Sequence, residues 1–223
     1  MAQKIKILLV DDHPLVREWL TNLINQRPGF EISGETGSAV EALRLVESGK
    51  PDIAIVDITL ANGSGLDLIK NIKASHFDVA VLVLSMHDEL LYAERALRAG
   101  AGGYIMKNEA TQKIFLAIQK VLDGEIYVSE AVATLMTKKF LAGGTGRAGS
   151  PIEQLSDREL EVFRLLGRGL STRQISEELR VGFKTIQSYS ARIKVKLSLT
   201  TANELLRESM RWHESQPGSA SRK

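Results

Sequence analysis

The chain has 223 residues, 43% of them hydrophobic and 25% charged, the balance of a folded protein with room for one large or two modest domains. It has no cysteine, which excludes a disulfide framework, a thiolate zinc site, an iron–sulfur cluster and a cysteine nucleophile. The net charge of +2 is uneven: residues 1–150 carry −2 and residues 151–223 carry +4, so a basic module follows a slightly acidic one, a balance that suits nucleic acid.

The opening MAQKIKILLVDD lacks the long apolar core of a secretory leader and reads as mature sequence. No apolar run nears the ~20 residues needed to span a bilayer, so a cytoplasmic protein without a membrane segment is expected. Five short runs rich in Val and Ile predict strands at residues 5–10, 30–33, 53–56, 79–84 and 104–106. Between them lie segments with apolar residues three and four apart, such as Leu15, Trp19, Leu20, Leu23, Ile24 and Ala39, Ala42, Leu43, Val46, which predict helices. Continuously apolar strands alternating with helices imply an α/β doubly wound five-stranded parallel sheet.

Periodicity then stops at AGGTGRAGSP, residues 142–151, which reads as linker. Beyond it, Ser156-x-x-Glu159, Ser171-x-x-Gln174 and Thr201-x-x-Glu204 mark helix starts, and a fourth start falls at Gly182. Four short helices are expected near 157–167, 172–179, 183–197 and 202–212. The expected organisation is a sheet domain over 1–125, a linker over 126–154 that is helical first and Gly/Ser-rich second, an all-α domain over 155–212 and a disordered tail over 213–223.

Function in such a sheet gathers at the carboxyl ends of the strands. The first predicted strand ends in Asp11-Asp12, the third in Asp57 and the fourth in Ser85, and the fifth is followed by Lys107. Three carboxylates about 5 Å apart repel by roughly 3 kcal/mol per pair at an effective dielectric of 20; one lysine does not offset that, so the site calls for a cation. Oxygen donors select a hard ion, and Mg²⁺ fits best. A divalent ion, a carboxylate and an amine also suit phosphoryl transfer to an Asp oxygen. Any one of these aspartates alone reads better as a helix cap; the five positions in register do not.

The set LLVDDHP, IVDITLANGSGLDLI, VLVLS and GYIMK, over about residues 4–124, resembles the receiver domain of two-component response regulators, a flavodoxin-like fold. The resemblance implies that Asp57 accepts a phosphoryl group from a sensor histidine kinase. It also implies that Asp12, Asp57 and the Thr59 carbonyl ligate Mg²⁺, with Asp11 acting through water, and that Lys107 pairs with the phosphoryl group. Ser85 and Tyr104 are the implied switch, Ser85 moving to the phosphoryl oxygen and Tyr104 swinging inward. Thr59 and His87 fall where the family tunes phosphoryl lifetime, although His87 reads equally as a plain surface histidine. The family's usual proline four residues after the phosphoacceptor is Ala61 here, and Gly63, Gly65, Gly100, Gly102 and Gly103 read as turn and cap residues.

In the second half, the three residues Arg180-Val181-Gly182 make a connection of helix-turn-helix length. The helix after it carries Lys184, Arg192, Lys194 and Lys196, with no acid between Phe183 and Leu199, which suits the major groove. Residues 155–205 resemble the LuxR-type helix-turn-helix of NarL/FixJ response regulators. The resemblance implies that Lys184, Thr185 and Lys196 hold the backbone of double-stranded DNA. It places Gln187, Ser188 and Ala191 at base edges and Arg192 at the groove rim, with the last helix contributing to a homodimer on DNA. Four positions depart from the common pattern: Ser176, Gly182, Gln187 and Tyr189.

The leading expectation is a DNA-binding transcriptional regulator switched by aspartyl phosphorylation and not otherwise an enzyme. Two others compete: a Mg²⁺-dependent aspartyl phosphatase or phosphotransferase, which lacks an Asp at the Thr59 position, and a module that binds protein instead of DNA.

Overall fold

A computed structural model describes residues 4–60, 63–75, 77–141 and 151–215. The Gly/Ser-rich stretch 142–150, Ala61 and the tail beyond 215 lie outside the described residues. The chain divides into two units, residues 1–144 and 145–223.

The first unit runs β1 (Ile5–Val10), α1 (Pro14–Asn25), β2 (Phe30–Thr36), α2 (Ala39–Gly49) and β3 (Ile53–Val56). A two-residue antiparallel ladder follows, β4 (Thr59–Leu60) with β5 (Gly63–Ser64). Then come α3 (Gly65–Ala74), β6 (Ala80–Ser85), α4 (Glu89–Ala99), β7 (Gly103–Met106) and α5 (Ala110–Leu122). The five long strands form one parallel sheet in the order β2-β1-β3-β6-β7, the doubly wound topology expected. Its strand order reverses at β1 and β3, whose carboxyl ends therefore frame a crevice.

Strand residues alternate faces, and in β1, β3, β6 and β7 both faces are buried, which is why those strands read as apolar runs. The edge strand β2 has no buried residue. Ile7, Leu9, Ile53, Ile55, Leu82, Leu84 and Ile105 pack with Leu20 and Ile24 of α1 and with Ile114 and Ile118 of α5. The alternate residues Leu8, Val10, Ala54, Val56, Val81 and Val83 are equally buried on the opposite face. Full burial of each such side chain stabilises by about 1.5–3 kcal/mol. Ser38 and Asp88 start α2 and α4 by accepting from the amides of Glu41 and Leu90.

Residues 126–141, read from the sequence as the helical start of a linker, fall within the first unit. Tyr127 pairs with the free edge of β7: the Tyr104 amide donates to the Tyr127 carbonyl at 2.8 Å, and the Tyr127 amide to Gly102 at 3.0 Å. Gly103 permits the approach, since a Cβ there would meet the Tyr127 carbonyl oxygen at 2.8 Å. Next, α6 (Glu130–Leu141) packs on α4. Val132 is buried, the Ser129 hydroxyl donates to Glu89, and the Lys139 ammonium meets Glu94, both at 2.7 Å. Segment 126–141 is thus bonded to the sheet domain by backbone and side chain.

The second unit has a 3₁₀ turn (Pro151–Gln154) and α7 (Asp157–Gly167), α8 (Thr172–Glu178), α9 (Phe183–Lys196) and α10 (Ala202–Glu214). Capping boxes start α7, α8 and α10, with Ser156/Glu159, Ser171/Gln174 and Thr201/Glu204 bonded reciprocally. Ile175, Ile186, Ile193, Leu160, Phe163 and Leu205 fill the core. In the turn between α8 and α9, Arg180 adopts a left-handed φ of 50°, and the Ser176 hydroxyl donates to the Val181 carbonyl at 2.6 Å. Among the described residues no helix is long and apolar enough to cross a membrane.

Candidate functional site

The carboxyl ends of β1 and β3 bring Asp11, Asp12 and Asp57 together as their positions predict. Asp11 and Asp57 are 3% and 5% exposed, and Asp12 is half-buried. From the loop after β7, Lys107 reaches between two of them, its ammonium 2.5 Å from Asp11 Oδ2 and 2.7 Å from Asp57 Oδ2. Burial raises the Asp57 pKa above its ordinary value, and the Asp11 charge adds to that, against the pull of Lys107. Burial also works against the Lys107 charge, but Asp57 and Asp11 outweigh it and hold the ammonium above its ordinary pKa. The pocket thus holds the Lys107 ammonium between two buried carboxylates.

His13 joins this cluster. Its Nδ1 lies 2.8 Å from Asp12 Oδ1 and 3.3 Å from Asp11 Oδ1. The ligand atoms of Asp11, Asp12, His13 and Asp57 all fall within 4.8 Å of one another. Three carboxylates in so small a volume, two of them buried against one lysine, can hold a divalent cation, and the oxygen-rich donor set fits a hard one. The Arg17 guanidinium donates to the Asp11 carbonyl at 2.6 Å, fixing the backbone that carries the first two acids. Neither His13 nor Arg17 was expected at the site; the signal for His13 is its place directly after the acid pair.

Gly65 stands against the backbone of Asp57. A Cβ there would lie 1.9 Å from the Asp57 carbonyl oxygen and 2.9 Å from Ile58 Cα, while the Gly65 amide donates to the Ile58 carbonyl at 2.7 Å. The β4–β5 ladder folds the chain back to allow this, so Gly65 is a close-approach residue as well as a turn residue.

Ser85, the last residue of β6, is fully buried and accepts from the His87 amide at 3.2 Å. Tyr104, expected to swing inward, already lies inside at 1% exposure. The reason is polar: its phenol donates to the His87 carbonyl at 2.8 Å, so the inward position leaves no hydroxyl stranded. Burial raises the phenol pKa and keeps it a donor. His87 is not a plain surface residue in this setting. Its Nε2 is 2.7 Å from Thr59 Oγ1, and its ring stacks on Tyr92 of α4 with centroids 4.9 Å apart.

In the second unit, Lys184, Thr185, Gln187, Ser188, Ala191 and Arg192 are all exposed on α9, whereas Ile186 and Ile193 face the core. The polar and basic residues therefore line the solvent side of the helix after the tight turn. Lys196, expected to hold a DNA phosphate, instead turns its ammonium into the module, 2.6 Å from Glu159 Oε2 and 3.0 Å from the Gln154 carbonyl.

Residues 7–119 match the model of the response regulator receiver domain, and residues 153–208 match the LuxR family of bacterial regulatory proteins. The chain belongs to the two-component response regulators. Oxygen regulatory protein NreC from strains of Staphylococcus aureus is 34% identical to this response regulator over 206 residues, covering 91% of this chain and 95% of the relative. A solved LuxR-family response regulator from Aurantimonas sp. SI85-9A1 is 33% identical over 62% of this chain and 99% of its own, with a TM-score of 0.58. The Salmonella enterica RcsB structure bound to promoter rprA with phosphomimetic BeF₃⁻ is 24% identical, covers 93% of this chain and 99% of its own, and has a TM-score of 0.61; it shows the fold. The second module is thus a LuxR-type DNA-binding domain, and the family is one of DNA-binding regulators, not of classical enzymes. The phosphatase and protein-binding readings fit this response regulator less well.

Proposed function

We propose that this response regulator takes a phosphoryl group on Asp57 from the phosphohistidine of a sensor histidine kinase and in answer binds double-stranded DNA as a homodimer in the cytoplasm. The observation that carries the reading is the Lys107 ammonium, held by Asp57 and Asp11 in a buried pocket at the end of the sheet. An Asp57 carboxylate oxygen attacks phosphorus, the new P–O bond forms as the P–N bond breaks, and the kinase's imidazole leaves. Lys107 exchanges its Asp57 contact for the transferred oxygens and stabilises their charge. Asp12, Asp57 and the Thr59 carbonyl, with Asp11 through water, are the groups to hold Mg²⁺, which when bound supplies further neutralising charge. Thr59 and His87 set how long the phosphoryl group lasts.

Phosphorylation adds about −1.5 to −2 charges and new acceptor oxygens. Ser85 turns to them, gives up the His87 amide, and so alters the seat of Tyr104 and the surface formed by residues 88–122. In the second module Lys184 and Thr185 grip the backbone, Gln187, Ser188 and Ala191 read base edges, and Arg192 sits at the rim. Leu206 and Met210, one turn apart on α10 and 38% and 41% exposed, support a dimer through that helix, which lets two modules engage two half-sites. The solved RcsB complex with promoter DNA supports the DNA partner.

The test is labelling with a radioactive small-molecule acyl phosphate, followed by mobility shift on genomic fragments. Wild type should label and shift fragments at lower protein concentration after labelling. Asp57→Asn should do neither while staying folded. Normal labelling of Asp57→Asn overturns the assignment.

A further inference from the structure

We infer that Lys196 is a positioning residue for DNA recognition: its ammonium clamps the C-terminal end of the recognition helix α9 to the first turn of α7 and does not neutralise a phosphate. The inference rests on the reading that α9 enters the groove.

Lys196 joins three pieces of chain. Its Nζ meets Glu159 Oε2 at 2.6 Å and the Gln154 carbonyl at 3.0 Å, so the 3₁₀ turn, the start of α7 and the end of α9 share one ammonium. Glu159 is 3% exposed and is itself fixed, because it accepts the Ser156 amide at 2.8 Å as the reciprocal arm of the capping box. Burial opposes the Glu159 charge, but Lys196 and Ser156 outweigh it and hold the carboxyl below its ordinary pKa. Each charge also lies at the end of a helix dipole that favours it, the acid in the first turn of α7 and the lysine in the last turn of α9.

Leaving this site for a phosphate would strand the buried Glu159 carboxylate, a cost that a solvent-exposed lysine such as Lys184 does not meet. The clamp also has leverage. At about 1.5 Å rise per residue, Gln187 lies about 13.5 Å along the axis from Lys196, so a tilt of about 5° shifts this base-reading position by about 1.2 Å. That exceeds the tolerance of a base-edge hydrogen bond.

The experiment measures affinity of the full chain for a duplex of a genomic fragment that wild type shifts in the mobility assay, across a salt series. It compares wild type, Lys184→Met, Lys196→Met, Lys196→Arg and Glu159→Gln, with each affinity corrected for the folded fraction read by circular dichroism. Gln at 159 keeps the capping box and removes only the charge facing Lys196. The expected result is that Lys184→Met flattens the log–log salt slope by about 0.9, the value of one phosphate contact. Lys196→Met and Glu159→Gln should leave the slope at its wild-type value and weaken binding about tenfold, the order of one lost charge-assisted contact. Lys196→Arg should restore most of the affinity.

A Lys196 that touches phosphate gives the opposite signs: Lys196→Met flattens the slope, and Glu159→Gln, freeing the ammonium, tightens binding. Either result overturns the positioning role and leaves the DNA-binding reading standing. Failure of wild type to shift any genomic fragment overturns both.

Discussion

Thr59 Oγ1 and His87 Nε2 lie 2.7 Å apart, joining the residue two places after Asp57 to the residue two places after Ser85. The same histidine accepts the Tyr104 phenol at its main-chain carbonyl and packs its ring on Tyr92, so one residue touches Thr59, Tyr104 and α4. Removing His87 opens the space beside Thr59 to water. His87→Ala should hasten loss of the phosphoryl group about fivefold, the rate equivalent of one hydrogen bond of about 1 kcal/mol. Decay of the radiolabelled protein measures it. Thr59→Ala combined with His87→Ala should decay no faster than His87→Ala alone, because the two act through one contact.

Lys107 is the counter-charge for two buried carboxylates. Lys107→Met should lower stability by about 3–5 kcal/mol, the usual cost of leaving a buried charge unpaired. Added divalent cation should recover part of that loss, and a chelator should remove the recovery, since binding to the folded state stabilises it by mass action. Thermal melts with and without cation read both effects.

Gly65→Ala places a methyl group where the Asp57 carbonyl oxygen stands. The backbone must move, at about 1–3 kcal/mol for forced overpacking, and the moving part carries Asp57, the proposed phosphoacceptor. Phosphoryl incorporation should fall by more than the melting temperature suggests, which a labelling assay on the folded mutant will show.

Docking of α6 should depend on acid pH. Burial disfavours the Glu94 charge, but Lys139 and Arg98 outweigh it and depress its pKa below the usual 4.5. Because the folded value is the lower one, the stabilisation is complete above 4.5 and is lost as pH falls through the depressed value. The partly exposed pair is worth about 0.2–1 kcal/mol, so Lys139→Glu should increase amide exchange over residues 130–141 without unfolding the sheet. Protection of these amides in wild type, taken relative to the intrinsic rate at each pH, should fall towards the mutant value only below pH 4.5.

The strands were legible because both faces of the sheet are buried, leaving runs such as ILLV and VLVL with nothing polar in them. The acid pocket was legible because strand ends in this topology converge and each ended in a chemically distinct residue. The β4–β5 ladder was not, since two-residue strands carry no period. The attachment of α6 was hidden for a related reason: only Val132 is fully buried on it, and Ser129 and Lys139, which bond this segment to α4, read as solvent-facing. Lys196 looked like its basic neighbours on α9 because its acidic partner lies 37 positions away. The inward seat of Tyr104 depends on a carbonyl acceptor that no side-chain pattern announces.

Tyr127 has a bearing on how this protein is handled. By occupying the outer rim of β7 it satisfies the Tyr104 amide, which would otherwise be an open template for another chain. A fragment cut after residue 125, where the periodicity of the sheet domain suggests a natural end, would bare that rim and self-associate. One continued to residue 141 would carry its own cover and remain monodisperse.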